Sequence, residues 1–394
     1  MLLLRTALLG LITAVSALPS GDGSSSSPAK KSRSTCDVTT TFFNDKTIFT
    51  PPTNYTDPRV LYARTAELAD GTLLATWENY SPEPPLVYFP IYESKDRGVT
   101  WKEISKVVDQ VNKWGLRYQP DLYVLPRAFA GFPAGTILAS GNSIPTDLSK
   151  SKIDVYASTD AGYTWKFVST VASGGKAVPN NGETPVWEPF VMLYKDEVVL
   201  YYSDQGDPKY GQKLVHKTTK DLKTWSAAVD DVNYPVYTAR PGMTTVTLLP
   251  NGKYMMTYEY GGGPGYGSSY KFPVYYRIAD DPRKFNDAPG IPIQAGGVKP
   301  EGSPYVTWSS VGGKDGSILV SSGTNQQVFV NRALGDVNEW EAYNVAQPVA
   351  YTRSLRVLET DPRALLIAGA GKLPPSTTNR VSVSVVDLKA LLKV

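Results

Sequence analysis

Three glutamates stand in apolar or aromatic runs and are the first candidates for chemistry: Glu78 in Leu73-Leu-Ala-Thr-Trp-Glu78, Glu259 in Tyr254-Met-Met-Thr-Tyr-Glu259, and Glu188 in Val186-Trp-Glu-Pro189. A carboxylate that ends an apolar strand ordinarily marks where the strand meets water. Glu188 is different, because it sits between tryptophan and proline, where burial perturbs a carboxyl pKa. Other chemistries lack material. The one histidine, His216, falls away from these runs and the one cysteine is Cys36, so a Ser-His-Asp triad, a Cys-His pair and a histidine-ligated zinc site all lack material. Gly261-Gly-Gly-Pro-Gly-Tyr-Gly267 follows a strand without opening a helix, so it reads as a flexible loop at a pocket rim and not as a phosphate cradle. What remains is carboxylate and tyrosine chemistry among 25 tyrosines and 8 tryptophans, rings that in part reflect ordinary strand composition but also suit stacking on sugars. Paired carboxylates in such surroundings fit glycoside hydrolysis, in which one acid protonates the leaving oxygen and a second carboxylate attacks or activates water. No metal and no cofactor is expected.

Such residues need elements that bring them together, and a repeat supplies these. Ser158-Thr-Asp-Ala-Gly-Tyr-Thr-Trp165 recurs as Ser94-Lys-Asp-Arg-Gly-Val-Thr-Trp101, and more weakly as Thr218-Thr-Lys-Asp-Leu-Lys-Thr-Trp225, where the aspartate shifts one place and the glycine is lost. The pattern suits a tight hairpin: aspartate bonds the turn backbone, glycine supplies positive φ, and tryptophan caps the core. It resembles the Asp-box of sialidase-like β-propellers. Trp101, Trp165, Trp225, Phe285 and Trp340 succeed one another at about 60-residue intervals. Each interval has room for four short strands that cannot bury their own apolar face, but a ring of such units can.

The expected fold is therefore all-β, a six-bladed β-propeller of four-stranded blades. Blade one runs Val60 to Val108, blade two Tyr118 to Val171, blade three Trp187 to Val232, blade four Arg240 to Ile293, blade five Ser303 to Val345, and blade six Tyr351 to Val386. Blade six lacks an outer strand, while Val38 to Phe49 is a spare β-like run, so this N-terminal strand is expected to close the ring and remove an exposed edge. Residues 1–17 read as a secretory signal, with Arg5, an apolar run from Ala7 to Val15 and small residues ending at Ala17. Residues 18–36 read as a disordered Ser/Lys-rich leader, and 37–394 as one catalytic domain, secreted and monomeric, with no apolar run long enough to span a membrane. The net charge of +3, scattered outside the leader, gives a nucleic-acid partner no support. Sequons at Asn54 and Asn79 fit export, the second crowded by Glu78.

In this register the first strand of each blade starts, and the second ends, at one mouth of the ring. The starts read Arg64-Thr65, Gln119-Pro120, Glu188-Pro189, Arg240-Pro241, Ser303-Pro304 and Tyr351-Thr-Arg353, and the ends include Glu78, Asn142, Asp204, Glu259 and Asn325. Polar groups thus gather at one concavity, with His216 away from it.

The sequence resembles the fungal exo-arabinanases of glycoside hydrolase family 93 along its whole length after the leader, notably in Tyr62-Ala-Arg-Thr65, Asp70-Gly-Thr-Leu-Leu-Ala-Thr-Trp-Glu-Asn79, Glu183-Thr-Pro-Val-Trp-Glu-Pro189 and Tyr258-Glu-Tyr-Gly261. The resemblance implies a propeller acting on linear α-1,5-L-arabinan with retention, releasing arabinobiose from the non-reducing end. It implies two catalytic glutamates, placed at Glu188 and Glu259, with Glu183 competing for the first place. The register leaves their roles open, with Glu188 as acid/base and Glu259 as nucleophile the preferred order. Arg64, Gln119, Trp187, Arg240, Tyr351 and Arg353 are expected to bind substrate, Tyr351 beside the scissile bond. A sialidase would instead use Arg64, Arg240 and Arg353 to clamp a carboxylate, with Tyr351 as nucleophile and Glu188 as its base. A carbohydrate-binding propeller without catalysis is the non-enzymatic alternative.

Overall fold

The computed structural model describes residues 40–394, so the expected signal, the leader and Cys36 lie outside the described residues. Six four-stranded antiparallel sheets follow one another along the chain. Blade one holds β2 to β5, from Val60–Glu67 to Lys102–Val107, and blade two holds β6 to β9, from Leu116–Val124 to Lys166–Gly174. Blade three holds β10 (Val186–Tyr194), β11 (Glu197–Asp204), β12 (Lys213–Thr219) and β13 (Val229–Val232). Blade four holds β14 (Arg240–Leu248), β15 (Tyr254–Gly261), β16 (Val274–Ala279) and β17 (Ile291–Pro292). Blade five holds β18 to β21, from Tyr305–Ser309 to Trp340–Tyr343. In blade six, β22 (Ser354–Leu358), β23 (Asp361–Gly369) and β24 (Val381–Asp387) are completed by β1 (Phe43–Phe49), which pairs antiparallel with β24. The two chain ends thus share one sheet, and no blade is left with an open seam. After β24 a short helix, α1 (Leu388–Leu392), tucks Leu388 and Leu392 into the core.

The repeated turns are built as their residues require. Ser94 Oγ takes the Gly98 N–H at 2.8 Å, Asp96 takes the Thr100 N–H at 2.8 Å, and the Trp101 indole donates to the Gly98 carbonyl at 2.9 Å. The copy at Ser158–Trp165 repeats these bonds. In the weaker copy the turn is one residue shorter: Thr219 does the work of the serine, and Leu222 takes the left-handed conformation that glycine holds elsewhere, at φ 60°. Between blades the packing is apolar, with Trp77, Tyr201, Phe285 and Phe329 almost wholly buried. Asn79 is 3% exposed, which leaves no room for a glycan there, whereas Asn54 is at the surface.

One backbone feature recurs six times and positions the mouth. Tyr62, Gln119, Glu188, Met243, Ser303 and Thr352 all have φ between 40° and 66°, one in each blade, at the start of the innermost strand. None is glycine, so each conformation carries strain that only its surroundings can hold. In blades one to four the ladder is interrupted there, as between Trp187 and Phe190 or Gly242 and Thr245, which is a β-bulge that re-aims a side chain. This repeat corrects the expected strand starts. Glu188, Gln119 and Ser303 hold equivalent places, but Arg64 lies two residues beyond its bulge, Arg353 one beyond, and Arg240 three before.

Candidate active site

Glu188 and Glu259 reach the same place from neighbouring blades. Glu188 is turned inward by the bulge in β10, and Glu259 lies on β15 directly opposite Gly242 of β14. A Cβ on Gly242 would stand 3.5 Å from Glu188 Oε2 and 3.6 Å from Glu259 Oε1, so the two oxygens are no further apart than the sum of those distances. A Cβ there would instead crowd the Gln212 amide, at 2.8 Å. Both glutamates are buried, at 1% and 3% exposure.

Each carboxyl group takes a backbone N–H from the next blade, and Glu188 also takes a hydroxyl from its own blade. Glu188 Oε2 accepts the Ser203 hydroxyl and, at 2.7 Å, the Met243 N–H, while Glu188 Oε1 has no partner. Glu259 Oε2 accepts the Ser303 N–H at 2.9 Å. Burial drives both pKa values up, that of Glu259 to about 8, and hydrogen bonds and the Arg240 cation only partly offset this. Two buried carboxylates this close do not ionise independently, so the pair takes up one proton more readily than either would alone in water.

A cavity of about 870 Å³ opens over Glu259, lined by Arg240, Ser303, Tyr351, Tyr270, Phe272 and Leu373 among others. Tyr351 presents a hydroxyl with no hydrogen-bond partner, and its pKa is raised first by burial and then by Glu259, Glu188 and Glu78. An unpartnered buried hydroxyl facing carboxyl groups awaits a polar ligand. Arg240 is fixed by Asn181 Oδ1 at 2.7 Å, Gln212 Oε1 at 2.8 Å and Gln205 Oε1 at 3.0 Å. Of the six residues expected to bind substrate, these two line the cavity.

The other four stand behind its wall. Arg353 is 0% exposed and donates to the carbonyls of Asn325, Gln326, Gln327 and Gln347, so it ties blade six to a loop of blade five. Arg64 is 1% exposed, 4.2 Å from the Tyr62 ring and 5.3 Å from the Tyr305 ring, and bonds Thr352 Oγ1 at 2.8 Å. Trp187 is buried against Tyr62, Met243 and Tyr351, and its indole donates to the Gln205 oxygen that also takes Arg240. Gln119 Oε1 accepts the Glu188 N–H at 3.1 Å, which steadies the bulge, while its own N–H goes to Glu78. Glu183, the competing glutamate, is on a partly exposed loop and pairs with Lys176. His216 is buried on β12 and bonds Asp231 at 2.9 Å.

Several functional neighbours carried no sequence signal. Ser203 is an ordinary strand serine, and Tyr270, Phe272 and Leu373 arrive from long loops after β15 and β23. Only the glycine-rich run before Tyr270 hinted that a loop borders the mouth.

A β-propeller with two buried, facing glutamates under a cavity rimmed by aromatics defines a glycoside hydrolase. A structure of a GH93 α-L-arabinofuranosidase of Fusarium graminearum with arabinobiose is 60% identical, covers 89% of this chain and 99% of its own, and superposes with a TM-score of 0.88. A Penicillium chrysogenum α-L-arabinanase with arabinobiose is 54% identical over 90% of this chain and 100% of its own, with a TM-score of 0.87. The chain belongs to glycoside hydrolase family 93. An intramolecular trans-sialidase from Ruminococcus gnavus, 10% identical with a TM-score of 0.53, shares the fold alone. No family model and no curated protein matches the sequence.

Proposed function

We propose that this enzyme is an exo-α-1,5-L-arabinanase that removes arabinobiose from the non-reducing end of linear arabinan with retention of configuration, and that it acts outside the cell. The observation that carries the reading is the close approach of Glu188 to Glu259, which lines the cavity. The 54–60% identical enzymes with bound arabinobiose support the sugar. The sialidase alternative loses its support, because Arg64, Arg240 and Arg353 occupy non-equivalent positions and two of the three are spent inside the protein.

The hydrogen bonds support the reverse of the order of roles preferred from sequence. Donors to a carboxylate stabilise its ionised form, and Glu188 accepts two against one for Glu259. Burial raises both carboxyl groups, Glu188 well above the ordinary range and Glu259 to about 8, so burial does not separate them; the additional donor favours the charge on Glu188 as nucleophile and leaves the proton on Glu259 as acid. In the first step Glu188 bonds to the anomeric carbon as the glycosidic C–O bond breaks, and Glu259 gives its proton to the departing oxygen. In the second, Glu259 takes a proton from water, the resulting hydroxyl displaces Glu188 from the sugar, and both glutamates return to their starting states. Incubation with linear arabinan and, separately, with a sialoside tests the reading: arabinobiose as the sole early product supports it, and free sialic acid or no product overturns it.

A further inference from the structure

The cavity does not end at its mouth. Tyr270 lines it and is also 48% exposed, and beyond it stand Tyr237 at 44% and Val236 at 55%. These are the largest departures from a polar surface near the site, and their backbones are unusually well held. The Tyr270 hydroxyl donates to the Thr238 carbonyl at 2.8 Å, so the two segments are joined where they meet. The Tyr270 ring lies over Gly262, where a Cβ would come within 2.9 Å of it, and edge-on to Phe272 at 5.4 Å. The Tyr237 carbonyl accepts the Asn181 amide at 3.1 Å, and a Cβ on Gly211 would come within 2.2 Å of that oxygen. Asn181 also grips Arg240, a wall of the cavity. The Ala239 N–H closes the turn on the Val236 carbonyl at 2.8 Å.

Tyrosines exposed for nearly half their surface, yet carried on segments held by three hydrogen bonds, are rings presented and not rings left over. Little entropy is lost when such a ring is covered. We infer that Val236, Tyr237 and Tyr270 form a ledge that binds the part of the arabinan chain remaining outside the cavity. The inference rests on the exo-arabinanase reading: if the non-reducing end enters the closed end of the cavity, the rest of the polymer must leave over its rim. The ledge is continuous with that rim through Tyr270. Furanose rings and their CH₂ links offer apolar faces to tyrosine while their hydroxyls stay in water.

The test compares linear arabinan with arabinotriose, which has a single unit beyond the bond that is cut. In Tyr237→Ala, KM for the polymer rises about fivefold to tenfold while KM for arabinotriose changes less than twofold and kcat holds on both, as loss of binding outside the reacting unit requires. Tyr237→Phe keeps the ring and restores the polymer KM. Val236→Ser, a milder change that leaves the turn bond in place, shows the same direction and guards against a misfolded Tyr237 variant. Equal effects on both substrates, or none on the polymer, overturn the ledge and leave the exo-arabinanase reading intact. If neither substrate yields arabinobiose, that reading falls and takes the ledge with it.

Discussion

The Met243 N–H of blade four donates to Glu188 Oε2 of blade three at 2.7 Å. The same relation recurs around the mouth: the left-handed residue of one blade gives its N–H to a side-chain oxygen of the blade before it. Gln119 gives to Glu78 at 3.0 Å, Glu188 to Gln119 at 3.1 Å, Ser303 to Glu259 at 2.9 Å, and Thr352 to Ser303 at 3.2 Å. Thr352 in turn takes the Arg64 guanidinium of blade one at 2.8 Å. Five of the six left-handed residues thus give their N–H across a seam, and this belt adds to the inner strands in placing the carboxyl groups.

Removing either carboxyl group ends turnover. Glu188→Gln and Glu259→Ala are each expected to lower kcat by several orders of magnitude, with thermal melting showing a folded protein. Azide separates the roles on an aryl arabinobioside, whose phenolate departs without a proton: it restores turnover in Glu259→Ala, giving an arabinobiosyl azide that product chromatography detects, and does nothing for Glu188→Gln. Rescue of the second variant instead would reverse the assignment.

The rate falls on the basic side. Glu259 acts protonated, and burial puts its pKa at about 8, so kcat/KM declines as pH rises through that value. A pH–rate profile on arabinotriose checks the limb.

Stability has a pH window of its own. Burial raises Asp121 to about 6, Glu78 to about 7 and Glu259 to about 8, all above the values of an unfolded chain. The folded state therefore keeps protons that the unfolded state releases, and the stability this supplies is full near pH 4 and lost as pH rises from 4 to 8. At the other end Asp221, lowered to about 2 by the Thr224 and Lys223 N–H groups, contributes stability that is lost as pH falls below about 4. Melting temperatures across pH should peak near pH 4–5. Glu78→Gln should flatten the decline between pH 5 and 7.

Much of this was legible in the sequence, for identifiable reasons. The Asp-box turns spell out their own hydrogen bonds, so the blade period could be read from Trp101, Trp165 and Trp225 with Phe285 and Trp340, and the N-terminal strand on β24 from the outer strand that blade six lacks. Glu188 and Glu259 were readable because each sits in an aromatic run at one end of an inner strand. The arginines were not. Their distance from the mouth depends on where a one-residue bulge falls, and Met243 and Thr352 look like ordinary strand residues until φ is known. The loop residues Tyr270 and Leu373 were invisible because no periodicity governs a loop.

Arg353 is predicted to matter for folding and not for substrate. Replacing it with methionine strands four carbonyls and should cost about 3 kcal/mol or more, seen as an earlier midpoint in urea. The fraction that remains folded should keep a KM for arabinotriose within about twofold of the parent.

The paired-glutamate account meets its most direct test in proton NMR of the first sugar released from linear arabinan. It predicts arabinobiose appearing in the configuration of the bond that was cut, before mutarotation, with no signal from Glu188→Gln. A product of inverted configuration, or undiminished release by that variant, would contradict it.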